Sequence, residues 1–262
     1  LLEQEKPSSN LDVLVPLQTK GDLPPLFLIH QAGGYGLSYS NLAEKLAIEM
    51  DRKFPIYAIQ SVGLDGKQSP SDTIEAMANI YISAIREIQP CGPYLLGGHS
   101  LGGLVAFAMA KELEAVGEQI QQLLIIDTHP PLADDRIIAS LEDNAGILCF
   151  IVEQIGLHFN KTVTLNYEDL ISLDQDSQFE YVLQTLQQRQ LIPTDSGRNL
   201  ITGLINVYKA NIQASLVYQP QYIKSPITIF KTPSLAAQFP DDSTLGWGKL
   251  TSEKSAGLLC DR

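Results

Sequence analysis

Residues 94–113, YLLGGHSLGGLVAFAMAKEL, constrain the fold of this chain more than any other stretch. An apolar run closes on two glycines, Ser100 follows, and Gly102 and Gly103 open a segment with the spacing of an amphipathic helix. Gly98-x-Ser100-x-Gly102 between a strand and a helix fits a tight, strained turn, in which glycines two residues either side of the serine let the backbones close up. A second apolar run, QLLIID at 122–127, then gives a strand–helix–strand unit of the parallel kind.

The flanking sequence extends that pattern. LDVLVPLQTK alternates as an edge strand does, LFLIH (26–30) is a buried strand emptying into the Gly-rich QAGGYG, and PIYAIQ (55–60) is a further strand. Between them, Leu42, Leu46 and Met50 fall on one helical face. Ile74, Met77, Ala78, Ile82 and Ile85 mark a second helix, with Ser71 or Asp72 as cap and Glu75 completing a capping box. This alternation predicts an α/β fold, a mostly parallel central sheet with helices on both faces. After Pro131 the character changes. Residues 134–216 read as three or more helices, an insertion lying over the sheet, before SPITIFKTPS (225–234) returns to strand.

At the carboxyl edge of such a sheet, Ser100 is a candidate nucleophile. The backbone N–H of Leu101 is one oxyanion donor, and the N–H of Ala32, in the loop after LFLIH, is the other. Asp127 directly follows a strand and is the candidate orienting carboxylate; Asp134 and Asp135 read as a solvated start to the helical block. His30 reads as structural.

The net charge of −12, from 30 acidic and 18 basic residues without a basic cluster, argues against nucleic acid or an anionic membrane as partner. The three cysteines, Cys91, Cys149 and Cys260, are widely spaced and suggest neither a disulfide framework nor a zinc site. Reduced thiols in a cytoplasmic protein are expected, with no metal or redox cofactor. QAGGYG lacks the spacing and the lysine of a phosphate loop. There is no signal peptide pattern, and the missing initial Met fits a domain cut from something longer.

PPLFLIHQAGG, YAIQSVGLDG, IREIQPCGPYLLGGHSLGGLVAFAMAKEL, IDTHPP and DDSTLGWGKL together resemble the thioesterase domains that end nonribosomal peptide and polyketide synthases, members of the α/β-hydrolase superfamily. The resemblance implies a helical lid inserted after the strand bearing the acid. It also implies acyl transfer to Ser100 from the 4′-phosphopantetheine thiol of an upstream carrier domain, then release by water or by ring closure. Residues 1–13 would be the linker from that carrier, and 14–262 the catalytic domain. A free-standing editing thioesterase and a non-catalytic acyl-binding or carrier-docking module are the alternatives. In that family a histidine follows the Gly-Trp segment; here GWGKLTSEKSAGLLCDR contains none, and the C-terminal end of the fold, its last strand included, is expected to be missing. Of the four histidines, His99 and His158 read as structural, and His129, two residues past Asp127, is the one substitute base at the active edge.

Overall fold

The computed structural model describes residues 13–50, 53–131, 142–159, 161–194, 197–252 and 256–259. Residues 1–12 of the expected linker, Asp134 and Asp135, and Cys260 lie outside them, as does the side chain of His158.

Among the described residues seven strands form one sheet: β1 (Leu14–Gln18), β2 (Leu26–Ile29), β3 (Ile56–Ile59), β4 (Tyr94–His99), β5 (Ile120–Ile126), β6 (Ile227–Lys231) and β7 (Ala256–Leu259), in the spatial order β1-β3-β2-β4-β5-β6-β7. Only β1 is antiparallel to its neighbour; every other pair is parallel. The expectation that the last strand is missing is therefore corrected. Ala256–Leu259 pairs in register with Thr228–Lys231, because β6 otherwise leaves a row of unpaired backbone groups on its outer edge.

The period-2 alternation of the strands divides the core. Phe27, Ile29, Ile59 and Leu96 face helices α2 (Ile74–Ile88) and α3 (Leu101–Ala115). Leu26, Leu28, Ile56, Ala58 and Leu95 face the opposite side, where they pack with Ala43 and Leu46 of α1 (Ser40–Glu49). The buried stripe of α1 runs through Ala43 and not through Leu42, which is 36% exposed. α2 is capped by Thr73, whose hydroxyl accepts from the Ala76 N–H at 3.1 Å, in place of Ser71 or Asp72. Thr73 is the last residue in extended conformation, and only that residue can aim its hydroxyl at the first free amides. α3 is less amphipathic than its spacing suggests. Every residue from Leu101 to Ala110 is buried, so it is a core helix with polar residues only in its last turns.

Among the described residues between β5 and β6 are four helices: α4 (Asn144–His158), α5 (Tyr167–Ile171), α6 (Gln175–Gln188) and α7 (Arg198–Val217). Asp143, Asn166 and Asp174 cap the first three. These helices bury their own cluster around Leu148, Val152, Val182, Leu186 and Leu204. α7 joins the two cores. Its Ile201, Leu204 and Ile205 belong to the lid cluster, whereas its Ala214 and the next residue after the helix, Tyr218, belong to the main one. A short helix α8 (Pro233–Ala236) follows β6.

Candidate active site

The loops after β2, β4 and β5 leave the same edge of the sheet, since these strands are parallel neighbours with Ile29 opposite Gly98 and His99 opposite Ile126. The last pairing puts Ser100 and Asp127 side by side, each one residue beyond its strand. Ser100 has φ 56° and ψ −127°, a conformation that a side-chain-bearing residue adopts only under restraint from its surroundings. That restraint is visible. A Cβ on Gly98 would stand 2.2 Å from the Gly102 carbonyl, and one on Gly102 would stand 2.2 Å from the Ile29 oxygen. The two glycines are therefore required by contact, which gives the motif its physical meaning. The Ser100 N–H donates to the Ile126 carbonyl at 3.1 Å, and the Tyr39 hydroxyl accepts from the His99 N–H while donating to the Ile29 carbonyl. Three strand ends are thus locked together beneath the serine.

Asp127 is itself at positive φ, 47°. Its N–H donates to the Phe230 carbonyl at 2.6 Å. Its Oδ1 accepts from both the backbone N–H and the hydroxyl of Thr232, at 2.8 and 2.9 Å. Among the described residues Oδ2 takes no hydrogen bond, so one carboxylate oxygen is held and the other is available. The hydroxyl of Thr128 lies within reach of the Ser100 and Ile126 carbonyls, and its own carbonyl accepts from the Trp247 indole N–H at 2.8 Å. Trp247 is fully buried against Phe107, so the Gly-Trp segment anchors the loop that carries Asp127 and Thr128. Sequence reasoning missed this role, as it missed Thr232, because both are long-range contacts without a local pattern.

Of the two candidate oxyanion donors, Leu101 directly follows Ser100, and Ala32 lies in the loop after β2, which leaves the same edge of the sheet. Leu101 is the first residue of α3, where backbone N–H groups lack partners within the helix. The Ala32 N–H makes no hydrogen bond among the described residues. Behind Ala32, His30 is fully buried, with Nδ1 2.7 Å from the Gln31 carbonyl and Nε2 2.6 Å from the Tyr81 hydroxyl. A carbonyl only accepts, so Nδ1 carries the proton and Nε2 accepts from Tyr81. Burial lowers the His30 pKa to about 4, partly opposed by the bond to Gln31, and the ring is neutral. Its burial and two hydrogen bonds are what a packed core histidine shows.

Ser100, Leu101, Asp127 and His129 line one cavity of about 230 Å³, closed on the lid side by Ile212, Ser215 and Leu216 of α7. The His129 ring leans on Phe239, and its Nδ1 is 2.6 Å from the Pro130 carbonyl. It makes no hydrogen bond to Ser100 or Asp127 among the described residues. His99 is half-buried and does not border this cavity; burial lowers its pKa while the Asp127 charge opposes the shift. A second cavity, of about 280 Å³ and mostly apolar, lies between the Gln31–Ser38 loop and Phe150, Ile155 and Phe159 of the lid. Of the other lid aromatics, Phe179 and Tyr218 are packing residues, whereas Tyr167 and Tyr181 are exposed.

The family model described as Thioesterase domain matches residues 24–216. A dimodular nonribosomal peptide synthase of Bacillus subtilis is 29% identical over 94% of this chain, which spans 10% of that protein. An atromentin synthetase, invA5, of Paxillus involutus is 34% identical over 88% of this chain and 23% of its own length. The chain thus spans a quarter or less of the length of these relatives. Among solved structures, a four-domain nonribosomal peptide synthetase, holo-AB3403, matches with a TM-score of 0.72 and 26% identity over 94% of this chain and 18% of that one. The Vlm2 thioesterase domain shares the fold at a TM-score of 0.66 and 21% identity, over 94% of this chain and 88% of its own.

Proposed function

We propose that this chain, which belongs to the thioesterase-domain family, takes an acyl or peptidyl chain from a carrier domain's phosphopantetheine thiol onto Ser100 and releases it by hydrolysis or ring closure. The observation that carries the reading is the strained Ser100, at φ 56°, set beside Asp127 by the His99–Ile126 pairing. Ser100 Oγ attacks the thioester carbonyl and gives up its proton to a base. The carbonyl electrons move to oxygen, where the N–H groups of Ala32 and Leu101 face the charge. Collapse re-forms the carbonyl, breaks the C–S bond and expels the thiolate, which takes the proton. Water, or a nucleophile in the chain itself, then attacks the Ser100 ester and returns the serine.

Asp127 orients the base in this scheme, through the Oδ2 that Thr232 leaves available. No histidine follows Trp247 in the 262 residues. His129 is the substitute that borders the cavity; with Nδ1–H given to Pro130, its Nε2 is an acceptor. Because it is not joined to Ser100 or Asp127, acylation is slow and the adduct long-lived. Loss of the base from a triad costs about 10⁴–10⁶ in rate, with the oxyanion hole retaining the remainder. The carrier-linked, embedded arrangement is supported by the multi-domain relatives, of which this chain spans a small part.

The test is release of free thiol from a carrier-bound peptidyl thioester, with the product's mass separating acid from ring. Thiol release by the wild type, lost in Ser100→Ala, supports the reading. Equal release by both proteins refutes it. Retention of the released acyl chain without any covalent adduct would instead favour the acyl-binding module.

A further inference from the structure

We propose that Asn211, carried by the lid helix α7, is a positioning residue for the oxyanion loop, holding the Ala32–Gly33 peptide and thereby fixing the Gln31–Gly34 turn that carries the Ala32 N–H. The proposal rests on the reading in which Ser100 is the nucleophile and Ala32 an oxyanion donor.

Two peptide units meet at Ala32. The first joins the Gln31 carbonyl to the Ala32 N–H, and its oxygen accepts from the Gly34 N–H at 2.9 Å and from His30 Nδ1 at 2.7 Å. The second carries the Ala32 carbonyl into Gly33. Sterics do little to hold that unit, since a Cβ on Gly33 would meet nothing nearer than Tyr35 Cδ2 at 3.9 Å. What holds it is the Asn211 side chain, whose Nδ2 donates to the Ala32 carbonyl at 2.9 Å across 179 residues of sequence.

Asn211 is fully buried, and its Oδ1 has no partner among the described residues. A buried amide with one idle oxygen is a cost to the fold, and an apolar side chain of similar size would serve packing alone as well or better. The single bond the amide makes goes to the loop. The same face of α7 repeats the contact, for Val207, Asn211 and Ser215 lie four residues apart. Val207 Cγ1 would sit 2.7 Å from a Cβ on Gly34, which has φ +84°, and Ser215 borders the Ser100 cavity. One stripe of a lid helix therefore touches the oxyanion loop twice and the nucleophile's cavity once. A displacement of α7 therefore pulls, through Asn211, on the Gln31–Gly34 turn in which Ala32 sits.

The test is phosphonylation of Ser100 by an alkyl fluorophosphonate, followed by intact mass to separate the limiting rate kinact from the binding constant KI. The proteins are the wild type, Ser100→Ala, Asn211→Leu and Asn211→Asp. Removal of a whole oxyanion donor costs about 10²–10³ in rate, so a misdirected one should lower kinact about tenfold in Asn211→Leu, with KI unchanged and Tm not reduced. Asn211→Asp supplies a signature that packing does not. A protonated buried carboxyl donates to the Ala32 carbonyl and an ionised one repels it, so the ratio of variant to wild-type kinact falls as pH rises. Wild-type kinact in Asn211→Leu overturns the proposal and leaves the Ser100 reading standing. Should Asn211→Leu fail to fold, a pH-independent ratio in Asn211→Asp overturns it. Equal labelling of Ser100→Ala, or no adduct in the wild type, overturns both.

Discussion

Replacing Ser100 by glycine and by alanine separates strain at the elbow from chemistry. Both variants lose the hydroxyl, but only glycine loses the Cβ that makes φ 56°, ψ −127° costly. A side-chain-bearing residue in such a region stores about 1–3 kcal/mol. The greater freedom of glycine in the unfolded chain returns about 0.5–1 kcal/mol of that. The difference leaves Ser100→Gly more stable than Ser100→Ala by about 1 kcal/mol, which for a domain of this size raises Tm by about 2–4 °C. Thermal unfolding at neutral pH, with two-state character checked by calorimetry, measures the gap directly. A Ser100→Gly protein that melts at or below the temperature of Ser100→Ala would refute the claim that the turn is strained. The elbow would then be an ordinary strand–helix connection.

Three other perturbations probe the supports of the site. Gly102→Ala places a Cβ 2.2 Å from the Ile29 oxygen, a backbone atom that cannot swing away, so urea unfolding should show a loss of about 3 kcal/mol at unchanged m. Trp247→Phe removes the indole N–H from the Thr128 carbonyl in a buried site, and should cost about 3 kcal/mol from the unpartnered oxygen and the lost volume together; a cost below 1 kcal/mol would sever the Gly-Trp segment from the loop that carries Asp127 and Thr128. His30 has a folded pKa near 4, below its unfolded value of 6.5, so the unfolded chain binds the extra proton first and stability falls as pH drops from about 6.5 towards 4. Between pH 7 and 5 that is about 2 kcal/mol, present in wild type and absent from the pH dependence of His30→Gln in chemical denaturation.

Local pattern made much of this molecule legible before its structure. Apolar runs closed by glycine marked β2 to β5, and Gly98-x-Ser100-x-Gly102 between a strand and a helix marked the elbow. Asp127 was legible because a carboxylate directly after a buried parallel strand can only stand at the carboxyl edge. The helical block between the fifth and sixth strands was readable from the change of period after Pro131. What escaped was non-local. Nothing in the neighbourhood of Thr232, Trp247 or Asn211 announces that each reaches across more than a hundred residues to hold Asp127, Thr128 or Ala32. The cap of α2 was misplaced by one or two residues, because Ser71, Asp72 and Thr73 offer similar chemistry and only the backbone selects among them. β7 was missed because AGLL becomes a strand through pairing with β6, a context that its own four residues do not carry.

The central claim, that Ser100 takes the acyl group, is tested most directly by intact-protein mass spectrometry after incubation with a simple acyl thioester, beside Ser100→Ala. The account predicts one acyl mass on the wild type, persisting because among the described residues no histidine is joined to the serine, and none on the variant. An adduct on both proteins, or on neither, would contradict it.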